Sequence, residues 1–201
     1  EKRKEDPQDD LVSKILHLEG EEQLTDNQIL NLCILLLIAG NVSTTQLLAW
    51  SMFSLSQRPE LVERVRGDER AIRTTVEETL RYRSSVQRLL RTATTDVELA
   101  GKQIEAGDDV VVWLGSANRD GKQFDNPDTF VYDRQPNPHL AFGRGIHICL
   151  GAGLARLEAK ITLQTLLDRF DSIRPVETEY EPISSPFLYG VKELPLAYER
   201  A

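Results

Sequence analysis

Apolar positions along the chain follow two periods, one helical and one extended. Leu11, Ile15 and Leu18 recur at helical spacing, which predicts a short amphipathic helix over residues 10–18 behind a charged, frayed segment at 1–10. Residues 20–23 break the pattern. Thr25 and Gln28 then stand three apart, a hydroxyl at the N-cap and an amide at N3, the spacing of a capping box. A long helix follows over residues 26–56 and stops before Pro59. It would span about 45 Å at its standard rise, and is expected to run through the centre of the domain. Shorter helices are predicted at 59–66 and 70–83. Between 87 and 112 the period shortens, with strands at 89–93, 97–99 and 110–113 and turns at Ala100-Gly101 and Ala106-Gly107. Residues 118–140 have little periodicity and contain Pro127, Pro136 and Pro138. A long irregular stretch inside a domain usually has a positioning or functional task. The last helix, over 152–170, offers Leu154, Leu157, Ile161, Leu166 and Phe170 as its apolar face, and the tail from Ser172 reads as short strands punctuated by proline. The pattern is mainly α with small β-sheets, an α+β class.

Composition narrows the function. Of the 201 residues, 40% are apolar, enough for a core, and 24 basic against 32 acidic side chains leave a net charge of −8. That balance argues against a nucleic-acid partner, which calls for a basic face. The longest apolar run, residues 33–40, falls short of the roughly 20 residues a bilayer span needs, so it reads as a buried helix segment and not a membrane anchor. Cys33 and Cys149 stand far apart in unlike surroundings, so no disulfide scaffold is expected, and a reducing cytoplasm is the expected location. The chain opens Glu1-Lys2-Arg3-Lys4 and has Met52 as its only methionine, which predicts a piece of a longer protein.

Two segments carry candidate chemistry. Ala39-Gly40-Asn41-Val42-Ser43-Thr44-Thr45 interrupts the long helix with poor helix formers. It reads either as a close helix–helix contact or as a groove facing a ligand. The second segment is Phe142-Gly143-Arg144-Gly145-Ile146-His147-Ile148-Cys149-Leu150-Gly151. Glycines let the backbone take positive φ and approach a ligand closely. A helix starting just after Cys149 aims its positive end at the sulfur and favours a thiolate, a strong axial donor for iron. His147, two residues earlier, is within reach of a charged cofactor periphery. A buried free cysteine on a turn is the alternative, and a cysteine nucleophile with His147 or His139 as base is another. Zinc is disfavoured without a second soft ligand nearby. Gly143-Arg144-Gly145 lacks the rest of a phosphate-binding pattern.

The loop resembles the haem-binding signature of the cytochromes P450, Phe-Gly-x-Gly-x-His-x-Cys-x-Gly, and the likeness continues through Ala152-Gly153-Leu154-Ala155-Arg156-Leu157-Glu158. Glu78-Thr79-Leu80-Arg81 is similar to the family's Glu-x-x-Arg. Ala117-Asn118-Arg119-Asp120 with Phe124, Pro127, Phe130 and Arg134 is similar to its meander, and Ala39-Gly40 with Ser43-Thr44 to its oxygen-groove helix. The resemblance implies a cytochrome P450 fold, with residues 1–201 as its C-terminal haem-binding half: the I-, K- and L-type helices and the cysteine-ligand loop. It implies haem b (iron protoporphyrin IX) with Cys149 as metal ligand, His147 and Arg91 on the propionates, Phe142 shielding the sulfur, and Gly143, Gly151 and Ala39 also around the cofactor. Gly40, Ser43 and Thr44 take the catalytic positions by resemblance. Glu78, Arg81 and Arg134 form a structural network, and Val86, Leu89, Leu90 and Leu188 meet substrate.

Val42 departs from the family, which usually carries an acid there to relay protons; Ser43 can replace the neighbouring alcohol. The implied reaction is insertion of one oxygen atom from O2 into a small apolar substrate, with a peroxide-driven reaction or non-catalytic haem binding as alternatives. Implied partners are a ferredoxin- or flavodoxin-type electron donor, docking near Arg144, Arg156 and Lys160, and the missing N-terminal half as a cleaved or separate segment. No nucleic acid and no membrane are expected.

Overall fold

The computed structural model describes residues 2–18, 20, 23–177 and 179–200. The chain divides into two compact units, residues 1–42 and 43–201. Of the expected break at 20–23, Glu21 and Glu22 lie outside the described residues.

The first unit holds α1 (Lys2–Glu5), α2 (Leu11–Leu16) and the start of α3 (Asp26–Ser56). The segment expected to fray instead forms α1. Ion pairs tie it down, Arg3 to Asp10 at 2.6 Å and Lys4 to Asp26 at 2.8 Å. Asp10 caps α2 by accepting the Ser13 N–H. The capping box at α3 is present: the Thr25 N–H donates to Gln28 Oε1 at 2.8 Å, and the Gln28 N–H donates to Thr25 Oγ1 at 3.3 Å. The expectation that residues 33–40 are buried is corrected, since Leu35, Leu37 and Ile38 are exposed. Short, charged α1 and α2 supply little apolar cover, and among the described residues of this unit only Ser13 and Ile29 are buried. By length and composition α3 is apolar enough to cross a membrane.

In the second unit α3 becomes a core helix, burying Leu47, Trp50, Met52, Phe53 and Leu55. Pro59 begins α4 (Pro59–Val65) at the first-turn position that tolerates its missing N–H. Asp68 caps α5 (Glu69–Tyr82) by accepting the Arg70 and Ala71 N–H groups, and α5 buries Ala71, Ile72, Val76 and Leu80 on one face. That face contacts α7 (Ala152–Arg169). The buried stripe of α7 is Ala159, Leu163 and Leu167, spaced four apart. This corrects the apolar face expected from sequence, because Leu154, Leu157 and Ile161 are exposed. The helix is apolar on two sides, and α5 meets the other one. Arg66 closes the C-terminus of α7 by donating to the carbonyls of Leu167, Phe170 and Asp171.

Among the described residues, three two-stranded antiparallel sheets complete the unit. β1 (Arg88–Thr92) pairs with β4 (Asp109–Trp113), Arg88 opposite Trp113. Between them β2 (Val97–Leu99) and β3 (Lys102–Ile104) form a hairpin. Its two turn residues, Ala100 and Gly101, have φ of 51° and 78°, the positive pair that suits a tight hairpin. The sequence pattern missed β3, whose three residues are too few for alternation to register. A short α6 (Leu114–Ala117) follows β4, and β5 (Phe170–Pro175) pairs with β6 (Leu196–Arg200) in the tail.

The tail is fastened to α3. Trp50 stacks on Tyr189 with ring centroids 4.7 Å apart. The buried Gln46 amide imitates a strand: Val191 N–H donates to its Oε1 at 2.8 Å, and its Nε2 donates to the Val191 carbonyl at 3.1 Å. A Cβ on Gly190 would collide with the Gln46 side chain. Gly190→Ala is therefore expected to displace that amide and lose about 1–3 kcal/mol of stability. Equilibrium denaturation checks this, and an unchanged unfolding midpoint would contradict it.

Candidate functional site

Neighbouring residues on a helix point about 100° apart, so Glu77 and Glu78 on α5 serve different partners. Glu78 is fully buried. Its Oε1 accepts from Arg81 Nη2 and from the Val131 N–H, both at 2.8 Å, and its Oε2 accepts from Arg81 Nε at 2.8 Å. Arg134 Nε lies 3.2 Å from both oxygens, and Asn137 Nδ2 donates to Oε2 at 3.3 Å. Arg81, equally buried, also donates to the carbonyls of Asn118, Pro127 and Thr129. One carboxylate and two guanidinium groups thus crosslink α5 to residues 118–140, which lack regular secondary structure of their own. Asn118 extends the lock: its Nδ2 donates to Ser84 Oγ at 2.8 Å, and its Oδ1 accepts the Leu140 N–H at 2.7 Å.

The cysteine loop starts at that anchor. Gly143 N–H donates to the Leu140 carbonyl at 2.8 Å, and Gly143 and Gly145 have φ of 69° and 78°. Two left-handed residues reverse the chain through a 3-10 turn, Gly145–His147, and a β-carbon at either would be strained. The Cys149 N–H then returns to the Phe142 carbonyl at 2.8 Å. Gly151 is the N-cap of α7. The Ala152 N–H is spent on the Cys149 carbonyl at 3.2 Å, so it is not among the donors left for the sulfur. Cys149 is free and exposed, flanked by the exposed apolar side chains of Ile146, Ile148 and Leu150.

Glu77 takes the other side of α5. Arg156 grips it with both nitrogens, Nε to Oε1 at 2.6 Å and Nη2 to Oε2 at 2.9 Å, and His139 Nε2 stands 3.0 Å from Oε2. Burial opposes the charge on Glu77, but the hydrogen bonds from His139 and Arg156 outweigh it and hold the carboxyl at about 2. Sequence reasoning missed Glu77, whose only signal was its place beside Glu78. Of the cations expected to form a positive face, Arg156 is engaged by Glu77 and Lys160 by Glu69 at 2.7 Å.

A cleft of about 200 Å³ opens beside Cys149. Helix α3 lines it with Ser43, Thr44 and Leu47; the segment from α5 into β1 adds Leu80, Ser85, Val86 and Leu89; the loop adds Phe142, Gly143, His147 and Cys149. The structure therefore brings together eight of the residues singled out from sequence: Ser43, Thr44, Val86, Leu89, Phe142, Gly143, His147 and Cys149. Arg91 is two residues beyond Leu89 on β1, hence on the same strand face, exposed, with Nη1 donating to the Leu90 carbonyl at 2.8 Å. Leu90 points to the opposite face, and Leu188 is half-buried in a β-bridge with Val86; neither lines the cleft. Ala39 and Gly40 lie on α3 within the first unit. Leu47, Leu80, Leu114 and Ala155 are lining residues that sequence reading missed, because nothing distinguishes such side chains from core.

A glycine-framed cysteine at an apolar cleft, braced by a buried Glu-Arg-Arg network in a helix-rich α+β fold, fits the haem-thiolate class that the loop's sequence resembles. The chain belongs to the cytochrome P450 family, which it matches over residues 1–198. It is 46% identical to cytochrome P450 109 of Bacillus spizizenii over 97% of its own length and 49% of that protein's. It is 42% identical to the biotin biosynthesis cytochrome P450 of Bacillus subtilis, over 99% of this chain and 50% of that one. Among solved structures it is similar to CYP109E1 from Bacillus megaterium in complex with testosterone (TM-score 0.91, 47% identity, covering 97% of this chain and 55% of that one). It is also similar to P450BioI in complex with a hexadec-9Z-enoic acid-ligated acyl carrier protein (TM-score 0.94, 42% identity, 98% and 51%). The chain spans about half the length of the curated relatives it matches.

Haem b is the cofactor of this family, and the residues present fit it: an apolar cleft, one soft sulfur donor, and a histidine in the lining.

Two outcomes follow from the charged clusters. Arg81→Met should lose about 3–5 kcal/mol, since it strands a buried carboxylate; a denaturation midpoint equal to that of the unsubstituted chain would contradict this. The Glu77 carboxyl is depressed from 4.5 to about 2, so its stabilising contribution is complete above about pH 4.5 and lost as pH falls from there towards about 2. Glu77→Gln should flatten the stability–pH curve across that window, and parallel curves would exclude the effect.

Proposed function

We propose that this chain is the cysteine-bearing half of a haem-thiolate monooxygenase that inserts one oxygen atom from O2 into an apolar substrate. Electrons come from a ferredoxin- or flavodoxin-type donor. The observation that carries this reading is Cys149 lining an apolar cleft, on a loop shaped by two left-handed glycines and closed by its own N–H on Phe142. When bound, haem supplies the redox-active iron at which O2 is reduced.

The chain's own residues do the rest. Cys149 ligates the iron, and the Phe142 ring keeps water from the sulfur. His147 and Arg91 hold the carboxylate arms, Arg91 through its planar donor fork. Gly143 and Gly151 let the backbone pass close to the ring, and Ala39 and Gly40 keep the helix slender. Ser43 and Thr44 hold protons at their hydroxyl oxygens. Val86 and Leu89 exclude water and orient the substrate. Relatives solved with testosterone and with a hexadecenoic acid-loaded carrier protein support a steroid or fatty acyl chain. The remaining half of the pocket comes from the N-terminal half, joined, cleaved or separate. The reading places the protein in the cytoplasm, off nucleic acid and membrane.

Val42 supports a second reading, a peroxide-driven reaction. Its isopropyl group has no proton to give, whereas hydrogen peroxide brings two electrons and two protons along with its oxygen atoms.

The test uses the complete, haem-loaded protein with a fatty acid or steroid, reduced ferredoxin and isotopically labelled O2. Product should carry one labelled oxygen atom, and product without label would overturn the monooxygenase reading. Val42→Asp should raise the share of electrons that reach product by about tenfold. An unchanged share would remove the argument from Val42.

A further inference from the structure

Ser85 and Val86 line the cleft from the irregular segment between α5 and β1. The tail holds that segment in a short antiparallel pairing. Val86 bridges Leu188, the Tyr189 N–H donates to the Ser85 carbonyl at 2.8 Å, and the Gln87 N–H donates to the Phe187 carbonyl at 2.9 Å. An isolated two-stranded pairing is marginal even at full length, so the place of this short one depends on what fastens it. The fastening converges on Tyr189. Its ring stacks on Trp50 of α3, and its carbonyl accepts from Trp50 Nε1 at 3.1 Å. Its hydroxyl accepts from Arg83 Nη1 at 3.2 Å and lies 2.6 Å from the Tyr180 hydroxyl. Arg83 stands two residues before Ser85, and its guanidinium rests on the rings of Trp50 and Phe53, 4.4 and 4.9 Å from their centres. The Arg83–Tyr189 bond therefore joins the two paired segments, and Trp50 fixes both partners to α3.

We propose that Tyr189 is a positioning residue for substrate: its hydroxyl, held by Arg83 and Tyr180, sets where the Ser85–Val86 wall stands in the cleft, and so which carbon of the substrate is oxidised. The proposal rests on the reading of Val86 as a substrate contact and deepens it. Tyr189 is not one of the residues that line the cleft, so it acts through Val86. A displacement of about 1 Å from the productive geometry can cost about a hundredfold in rate, and neighbouring carbons of an alkyl chain are separated by little more than that. The hydroxyl is the separable part of the fastening. Tyr189→Phe removes it and keeps the ring on Trp50, the carbonyl for Trp50 Nε1 and the N–H for Ser85. A role in stability alone would loosen the whole tail together, whereas a role in positioning is confined to the Val86–Leu188 pairing.

The experiment compares Tyr189→Phe with the unsubstituted protein, both complete and haem-loaded, by two readouts. The first is amide hydrogen exchange. The amides of Gln87 and of position 189 should exchange about tenfold faster, as expected for the loss of one hydrogen bond to a charged group. The Val191 amide, bonded to Gln46, should keep its rate. The second readout is product position, with hexadecanoic acid and testosterone as probes. The main product's share should fall about twofold in favour of neighbouring positions, and KM should rise about fivefold while kcat stays within about twofold. Tyr180→Phe leaves Arg83 on Tyr189 and should move both readouts the same way by less. Unchanged exchange at Gln87 and position 189, equally faster exchange at Val191, or an unchanged product pattern would overturn the proposal. If Tyr189→Phe does not fold, Tyr180→Phe decides by the same criteria. Val86→Ala separates the proposal from the reading beneath it. Altered products in Val86→Ala with none in Tyr189→Phe end the positioning role alone; unaltered products in Val86→Ala end the substrate-wall reading and the proposal together.

Discussion

A buried carboxylate is tolerated only when every lone pair is answered, and Glu78 is answered by Arg81, Arg134, Asn137 and the Val131 N–H. The site depends on this one group. Residues 118–140 have little secondary structure and would not hold a shape alone. They are organised because their carbonyls at Asn118, Pro127 and Thr129 all accept from Arg81, and Arg81 is fixed by Glu78 three residues before it on the same helix. Replacing the network with apolar residues would leave those carbonyls without donors, so its value lies in specifying one path for the chain.

From that lock the order passes to the sulfur through short steps. Asn118 holds Leu140, Leu140 accepts from Gly143, and Phe142 accepts from Cys149. Helix α5 supplies both supports of this path. Glu78 faces the meander, while Glu77, one position earlier, faces α7 through Arg156 and the loop approach through His139. The cysteine is thus presented by a loop whose two ends are braced by adjacent carboxylates of one helix. The thiol stays exposed to a ligand while the backbone that carries it is tied.

Local signals in the sequence made much of this legible. The capping box at Thr25 and Gln28, the bounds of α3, and the Glu78–Arg81 spacing depend on contacts within a few residues, and each appears in the structure. The residues of the cysteine loop alone left a free cysteine and a cysteine nucleophile open, and the loop became legible through its resemblance to the family's haem-binding signature. What escaped depends on distant partners. Helix α7 has apolar residues on two sides, and only the position of α5 decides that Ala159, Leu163 and Leu167 are the buried ones. Helix α3 carries apolar side chains in both its halves, yet Leu37 is exposed and Leu55 buried. Arg156 and Lys160 read as free cations until Glu77 and Glu69, far away in sequence, were seen to meet them.

The central claim is that the Cys149 thiolate ligates a haem iron. The absorption spectrum of the reduced, carbon monoxide-bound, haem-loaded protein tests it most directly, because thiolate ligation moves the main band well to the red of its position with a neutral donor. The account predicts the red-shifted band, lost in Cys149→Ser. A band at the neutral-donor position in the unsubstituted protein, or a red-shifted band that survives Cys149→Ser, would contradict it.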